Sequence, residues 1–447
     1  LKLARLERHR PRFAVTSDRS SMELEALRSL GLPVVSTAVA SCSASGCLPT
    51  EWVATAQSAT SLCLPTHSHK LKDAKVPIAT IMTSQVGNNI GKAACLRVPA
   101  AAEVPDGAMG ELAKSLWRPM LMRQPDRQLS IVVFNALLKA FEAKPYYPQV
   151  PPALRAWTWR KPQMIALISG LDADLFCMQE IEVDTFDQEF AFLSDIGYAA
   201  VAPQDGDRPK KRVEGEPPRD IAKCAFFYKP HRLELVWHES RSRAVLAAFR
   251  HLATGQLLYA ASCHLEGAPR EAAARVSQMK SAIDRIRQDQ RRRGVPHEDC
   301  CLVLAGDFNS DEHSSVCHLL RTGRLERSFR DPWAPDVELT KMDYSHEFIF
   351  RDLYAPRGAD LSCGSRPPTF CCPPGRCFAA IDFLFYTPRS LRPVAIRTPF
   401  TARHLEATRG VGVPAPWHFS DHVPLGGVFQ VGVADDPDTT SRPLAAL

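Results

Sequence analysis

The stretch Leu302-Val-Leu-Ala-Gly-Asp-Phe-Asn-Ser310 constrains the fold more than any other part of the chain. Its apolar run must be buried, and it delivers Gly306, Asp307, Phe308 and Asn309 at its end. Asp307 and Asn309 stand two residues apart, so on an extended strand they point the same way. A carboxylate and an amide then meet at the C-terminal rim of a strand. That arrangement suits an enzyme that grips a phosphate and activates water beside it. Matching fragments recur in order on both sides: Phe134-Asn135, Met178-Gln179-Glu180, Ser262-Cys263-His264-Leu265, Ile381-Asp382-Phe383 and Ser420-Asp421-His422.

At 447 residues the chain is long for one domain, although large β-sandwich enzymes reach roughly 250–300 residues. A hydrophobic share of 45% and a charged share of 23% are those of a soluble globular protein. No apolar run approaches the ~18 residues of a membrane helix. The net charge of +6 is uneven: residues 1–128 carry 16 Lys and Arg against 10 Asp and Glu, which accounts for the whole excess. The rest of the chain is neutral and by composition shows no polyanion-binding face.

Fourteen cysteines suggest a disulfide framework, but Cys177, Cys224, Cys263 and Cys301 fall inside predicted buried strands. Free cysteine behaves there as a small hydrophobe. The expectation is a reducing, intracellular compartment, the cytoplasm first, with nucleus or organelle as alternatives. Cys363, Cys371, Cys372 and Cys377 fit no common zinc spacing and read as a Cys- and Pro-rich loop.

Three segments are expected. Residues 1–128 lack sustained periodicity and read as mostly disordered or targeting, with short helices at 22–30 and 110–120. The basic, nearly acid-free stretch from Lys2 to Arg12 resembles a transit peptide or a solvated charge run. Residues 129–432 read as a catalytic domain, and 433–447 as a tail. Within the middle segment, strands are predicted at 131–135, 174–179, 223–229, 233–238, 244–250, 256–265, 301–308, 380–386, 392–398 and 422–429. Helices are predicted at 161–170, 186–195 and 270–293, with irregular loops at 204–219 and 331–379. The fold class that follows is α+β, a four-layer sandwich of two packed, mostly antiparallel sheets flanked by helices.

On these motifs the middle segment resembles the endonuclease/exonuclease/phosphatase superfamily, with its DNase I-like fold. It is most similar to the CCR4-type deadenylase branch, which includes nocturnin and Angel relatives. The branch is marked by Tyr146-Tyr147, Trp159-Arg160-Lys161, Asp172-Ala-Asp174-Leu-Phe-Cys-Met-Gln-Glu180, Ile381-Asp-Phe-Leu-Phe-Tyr386 and His418-Phe-Ser-Asp-His-Val-Pro-Leu425. The resemblance covers about two thirds of the chain and none of the first 128 residues.

It implies Mg²⁺, with Mn²⁺ as second choice, as one or two ions held by Glu180, Asn135 and Asp421; hard cations prefer such oxygen ligands. The Asn135 amide would sit in the metal shell or bind a phosphate oxygen. His264 would bind a phosphate oxygen and offset charge in the transition state. Asp307 would orient and deprotonate the attacking water. Asn309 would fix a phosphate oxygen, and His422 would face the phosphate with Asp382 holding its tautomer. No nucleophile-elbow sequence supports a serine-hydrolase triad.

For substrate, the resemblance suggests an adenine base between Pro269 and Phe378, with Phe378 alternatively a hydrophobic plug. Arg275 and Gln278, three apart on one helix face, would reach a nucleic-acid backbone or serve the fold. Lys161 and Lys223 are further candidates. The leading expectation is a 3′-to-5′ exoribonuclease on poly(A) or similar RNA tails that releases 5′-nucleotides. The alternatives are a phosphatase on a small nucleotide or cyclic phosphate, and a catalytically dead RNA-binding protein. No leucine-rich-repeat platform is read in the chain, no membrane partner is expected, and a partner for residues 1–128 is left open.

Overall fold

The computed structural model describes residues 108–432, apart from 121, 123, 143–146, 148, 203–221, 356–365 and 373–376, together with 445–446. The helix expected at 22–30, the charged loop 204–219 and Cys363 lie outside the described residues.

The strands are β1 (Gln128–Asn135), β2 (Leu175–Glu182), β3 (Ala199–Val201), β4 (Ala222–Tyr228), β5 (Leu233–Arg241), β6 (Ala244–His251), β7 (Leu257–His264), β8 (Cys301–Asp307), β9 (Arg324–Leu325), β10 (Tyr344–Ser345), β11 (Arg351–Asp352), β12 (Phe370–Cys372), β13 (Cys377–Ala379), β14 (Asp382–Tyr386), β15 (Leu391–Ile396), β16 (Leu425–Val431) and β17 (Ala445–Ala446). One sheet runs β17-β15-β16-β1-β2-β4-β3 and the other β11-β14-β8-β7-β6-β5. Pairs β1/β2, β7/β8 and β15/β17 are parallel and the remaining pairs antiparallel. This is the α+β sandwich expected from the sequence.

Alternation along each strand builds the layers. Ile131, Val133, Leu175, Cys177 and Phe226 of the first sheet bury themselves against Val245, Ala247, Phe249, Leu258, Val303 and Leu384 of the second. Their neighbours point outward. Val132, Phe134, Phe176 and Met178 pack under Met164, Leu167, Ile168 and Leu171 of the helix Trp157–Leu171. Leu246, Tyr259, Ala261 and Leu304 pack under Val276, Met279, Ile283 and Ile286 of the helix Ala272–Arg292. The i, i+3, i+4 spacing of that last set is why the helix buries one stripe.

Several boundaries differ from expectation. The helix predicted at 186–195 is two short ones, Phe186–Glu189 and Phe192–Asp195. The last long strand starts at Leu425 rather than 422, because residues 420–423 are held in a loop at the sheet rim. The helix Ala108–Leu116 extends the folded body into a segment expected to be mostly disordered. Its Leu112, Ala113 and Leu116 pack with Phe400, Val413 and Trp417, and His404 Nε2 lies 2.8 Å from Ser115 Oγ.

The close pairing of β7 with β8 depends on Gly306. Its φ is +137°, and a Cβ there would come within 1.9 Å of the Cys263 carbonyl oxygen. Gly306→Ala must therefore push apart the two strands that carry His264 and Asp307. The expected cost is roughly 3 kcal/mol or more of stability, read by denaturant unfolding; an unchanged midpoint would contradict this account of the pairing.

Candidate active site

Strand register assembles the site. Across β7, β8 and β14, His264 pairs with Asp307 and Asp307 with Asp382, so the three stand in one row. In the facing sheet Asn135 pairs with Gln179, one residue before Glu180. The β2/β4 ladder slips between Met178 and Ile181, and Glu180 there takes a φ of +59°. A bulge of this kind re-aims a side chain. Asn309 (φ +47°) and Leu137 (φ +57°) share this left-handed backbone beside the site. Such conformations cost of order 1–3 kcal/mol each and persist only when their surroundings hold them.

The side chains close into a ring. Asn135 Nδ2 donates to Glu180 Oε1 (3.1 Å) and Asp307 Oδ2 (3.2 Å). Leu138 N donates to Glu180 Oε2 (2.8 Å). His264 Nε2 lies 3.8 Å from Glu180 and 3.7 Å from Asp307. His422 Nε2 lies 3.6 Å from Asp307 Oδ2, while its Nδ1 is 2.8 Å from Asp382 Oδ2. Thr369 Oγ1 also donates to Asp382 Oδ2, at 2.6 Å. Tyr147 OH donates to Asp421 Oδ2 at 2.6 Å. Asn309 Nδ2 donates to the Leu265 carbonyl, and its N–H to Asp307 Oδ1.

Burial of so many carboxylates shapes their titration. Burial pushes the Asp307 carboxyl up to about 6; the His422 imidazole opposes this and the Asp382 charge adds to it. Burial also raises Asp421, against the pull of His422 and with the Glu180 charge adding. For Glu180, burial is outweighed by His264, the Leu138 N–H and the Asn135 amide, so it lies below the usual carboxylate range. Burial alone would lower His422, but Asp382 and then Asp421 and Asp307 hold its imidazole at about 10. The result is a charged imidazolium that donates from Nδ1 to Asp382 and keeps Nε2 3.6 Å from Asp307.

Among the described residues, Asp307, Asp382 and His422 place one ligating atom each within 4.8 Å of one another. The His422–Asp382 contact is, however, a charged hydrogen bond of 2.8 Å, which occupies that face of the imidazole. Oxygen donors remain at Glu180, Asp307 and Asp421. Glu180 and Asp307 present oxygens on either side of the Asn135 amide, and Asp421 lies near enough for the Glu180 charge to raise its carboxyl; carboxylate oxygens of this kind suit a hard divalent cation. The Asn135 oxygen accepts from Leu137 N (3.0 Å) and its NH₂ faces the carboxylates.

For Arg275, Gln278 and Phe378 the contacts follow the fold-serving alternatives rather than the substrate-binding ones. Arg275 is buried and donates to the carbonyls of Glu266 (3.1 Å), Ala268 (2.7 Å) and Pro269 (3.0 Å). Gln278 accepts from Glu266 N (2.9 Å). Both side chains are thus used to fold the loop after His264, which includes the half-buried Pro269, and are turned away from any nucleic-acid backbone. Phe378 packs edge-on against Phe400, with ring centroids 6.3 Å apart, in an apolar cluster. The aromatic ring against the site is Phe370, 4.9 Å from the His422 ring. Along β12 and β13 the side chains alternate, so the one-residue difference decides which phenylalanine faces His422. Lys161 is paired with Glu189 at 3.0 Å.

Sequence reasoning missed Arg160, Tyr147 and Thr369 as parts of the site. Arg160 is fully buried and donates to the carbonyls of Phe419 (3.1 Å), Leu138 (3.1 Å), Ala136 (3.0 Å) and Leu137. It ties the turn after Asn135 to the segment leading into Ser420-Asp421-His422. Trp159-Arg160-Lys161 stood out in the sequence as a mark of the resemblance, but residue spacing along the helix does not reveal these contacts.

The fold and this rim of acids and imidazoles define a phosphoesterase of the DNase I-like class. Over residues 160–422 the sequence matches the Endonuclease/Exonuclease/phosphatase family, and the chain belongs to that family. It is 24% identical over 365 residues to the CCR4-Not complex 3'-5'-exoribonuclease subunit Ccr4 of Schizosaccharomyces pombe, covering 70% of this chain and 51% of that protein. It is 21% identical over 351 residues to the subunit of the same name from Kluyveromyces lactis, covering 70% and 42%. The chain spans about half the length of these curated relatives. Among solved structures it superposes on ANGEL2, a 2',3'-cyclic phosphatase, with a TM-score of 0.56 and 18% identity, covering 68% of this chain and 95% of that one. That likeness is one of fold.

A titration tests the electrostatics directly. Because the folded pKa of His422 is raised, the stability from its pair with Asp382 is fully present below pH ~6.5. It is lost as pH rises toward about 10. Imidazole NMR of the parent should show His422 charged at pH 8, and Asp382→Asn should bring its titration down to roughly pH 7–9. A parent His422 that is neutral at pH 8 would contradict the pairing.

Proposed function

We propose that the chain is a divalent-metal-dependent phosphodiesterase that shortens poly(A) or similar RNA tails from the 3′ end. The observation that carries this reading is the row His264, Asp307 and Asp382, closed by His422 and faced by Glu180 and Asn135. Support for RNA comes from the likeness to Ccr4 exoribonucleases.

Water attacks the terminal phosphodiester in line. Asp307, held by the Asn309 N–H and the Asn135 amide, orients that water and takes its proton. His422 donates to a non-bridging phosphate oxygen, and Asp382 fixes which nitrogen carries that proton. His264 and the second N–H of Asn309 complete the cradle for charge that develops on phosphorus. The bond between phosphorus and the 3′-oxygen breaks, the leaving oxygen takes a proton from solvent water to become a 3′-hydroxyl, and the product is a 5′-nucleotide with no covalent intermediate on the enzyme. Glu180 and Asp421, with Asn135 beside them, would hold Mg²⁺, or Mn²⁺, which would supply neutralising charge at the phosphate and the leaving oxygen. An intracellular, reducing compartment, the cytoplasm first, accords with the buried thiols of Cys177, Cys263 and Cys301.

A phosphatase on a small nucleotide or cyclic phosphate is the second reading. It is favoured by Phe370 standing against His422, where a single base could stack, and by the fold shared with ANGEL2.

The test uses the full chain with 5′-labelled RNA ending in an adenosine tail. Stepwise shortening is expected with Mg²⁺ and none with EDTA. Asp307→Asn is expected to slow it by roughly 10²–10⁴. Inertness toward RNA with release of phosphate from a cyclic nucleotide would establish the second reading. Inertness toward both, with RNA still bound, would make the chain a binding protein.

A further inference from the structure

The rim that carries the site continues past His264. In the second sheet the next strands are β6 and β5, whose connecting turn holds Arg241, Ser242 and Arg243. In the first sheet the strand beyond β2 is β4, which carries Lys223 and Cys224. Between them lies a small surface recess lined by Lys223, Ser240, Arg243 and His264 among others. It opens on the side of His264 away from Asp382, and strands stand roughly 4.8 Å apart. The recess therefore adjoins the reacting row at His264 and extends from it toward β6 and β5.

Its chemistry is that of an anion site. Lys223 is half-buried at the wall of the recess. The Ser240 hydroxyl is buried at the same wall without a hydrogen-bond partner, and an orphaned buried hydroxyl costs free energy unless something fills that role. Arg243 is fixed through Nη2 to Glu266 (3.0 Å), and its carbonyl accepts from His264 N (2.8 Å), so the recess and the site share a wall. Arg241 is committed to Ser281 and Glu239.

We propose that this recess is a phosphate subsite, in which Lys223 and Ser240 hold the phosphodiester next to the one being cut. It deepens the reading of the chain as a phosphodiesterase on a polynucleotide, and rests on it. The substrate class it selects is a chain with at least two successive phosphodiesters, as against a phosphate monoester or a cyclic mononucleotide.

The experiment compares the full-length parent, Lys223→Gln and Ser240→Ala. Binding of a fluorescent RNA oligonucleotide is measured without divalent metal at several salt concentrations. Turnover with Mg²⁺ is measured on the oligonucleotide and on bis(p-nitrophenyl) phosphate, which has no second phosphodiester. Lys223→Gln is expected to weaken RNA binding about tenfold and to flatten the slope of log K against log salt by about 0.7, the share of one single-strand phosphate contact. Ser240→Ala is expected to weaken binding severalfold with the slope retained. In both variants kcat/KM falls further on RNA than on the small diester. An unchanged salt slope in Lys223→Gln, or equal losses on both substrates, overturns the subsite. A parent inert on both substrates whose binding slope still falls with Lys223→Gln defeats the hydrolase reading while the subsite stands.

Discussion

Crowding of negative charge at one sheet rim is the constraint to which the rest of this structure answers. Glu180, Asp307, Asp382 and Asp421 are brought together with little water around them. Unpaired, each buried carboxylate would cost several kcal/mol. The protein meets that cost locally. Asn135 bridges two of the acids with one amide, and Tyr147 and Thr369 give hydroxyl protons to two others. His422 is held charged between three of them. Neutral donors share the charge of Glu180, Asp307 and Asp421 without cancelling it, and the His264 ring stands 3.8 and 3.7 Å from the first two.

The scaffold converts this chemistry into position. Because His264, Asp307 and Asp382 are register partners, their spacing is set by the ladder rather than by loops. The acids and imidazole that lie on connections are fixed in other ways. Arg160 ties two of those connections together through four carbonyls, from beneath the first sheet. Arg275 does the same for the loop after His264. Two buried guanidiniums thus act as positioning residues, one on each side of the sandwich.

Much of this was legible in the sequence, for physical reasons. Apolar runs ending in Asn135, Glu180, His264 and Asp307 had to be buried strands with polar tips, and a polar tip of a buried strand stands at a rim. Pairing of Asp382 with His422 followed from the family resemblance. What was not legible depends on geometry that periodicity does not encode. Arg275 and Gln278 do share a helix face, as their spacing required, but that face is the buried one. Phe378 and Phe370 belong to one short hairpin, and only the register of Phe370 with Ala379 decides which ring meets His422. Arg160 sits on a helix whose pattern gives no hint that a guanidinium points inward. The helix Ala108–Leu116 was visible as a pattern, but the partner it packs against lies almost three hundred residues away.

Divalent metal binding tests the central claim most directly. Thermal unfolding of the full chain would be followed against Mg²⁺ concentration, for the parent and for Glu180→Gln. If the buried acids form a cation site, the parent's midpoint climbs steadily with the logarithm of Mg²⁺ concentration once the site begins to fill. The climb is lost or moved to much higher concentration in Glu180→Gln. A parent whose midpoint is indifferent to Mg²⁺ and Mn²⁺ would contradict the account, since the charge gathered at this rim would then be balanced by the protein alone.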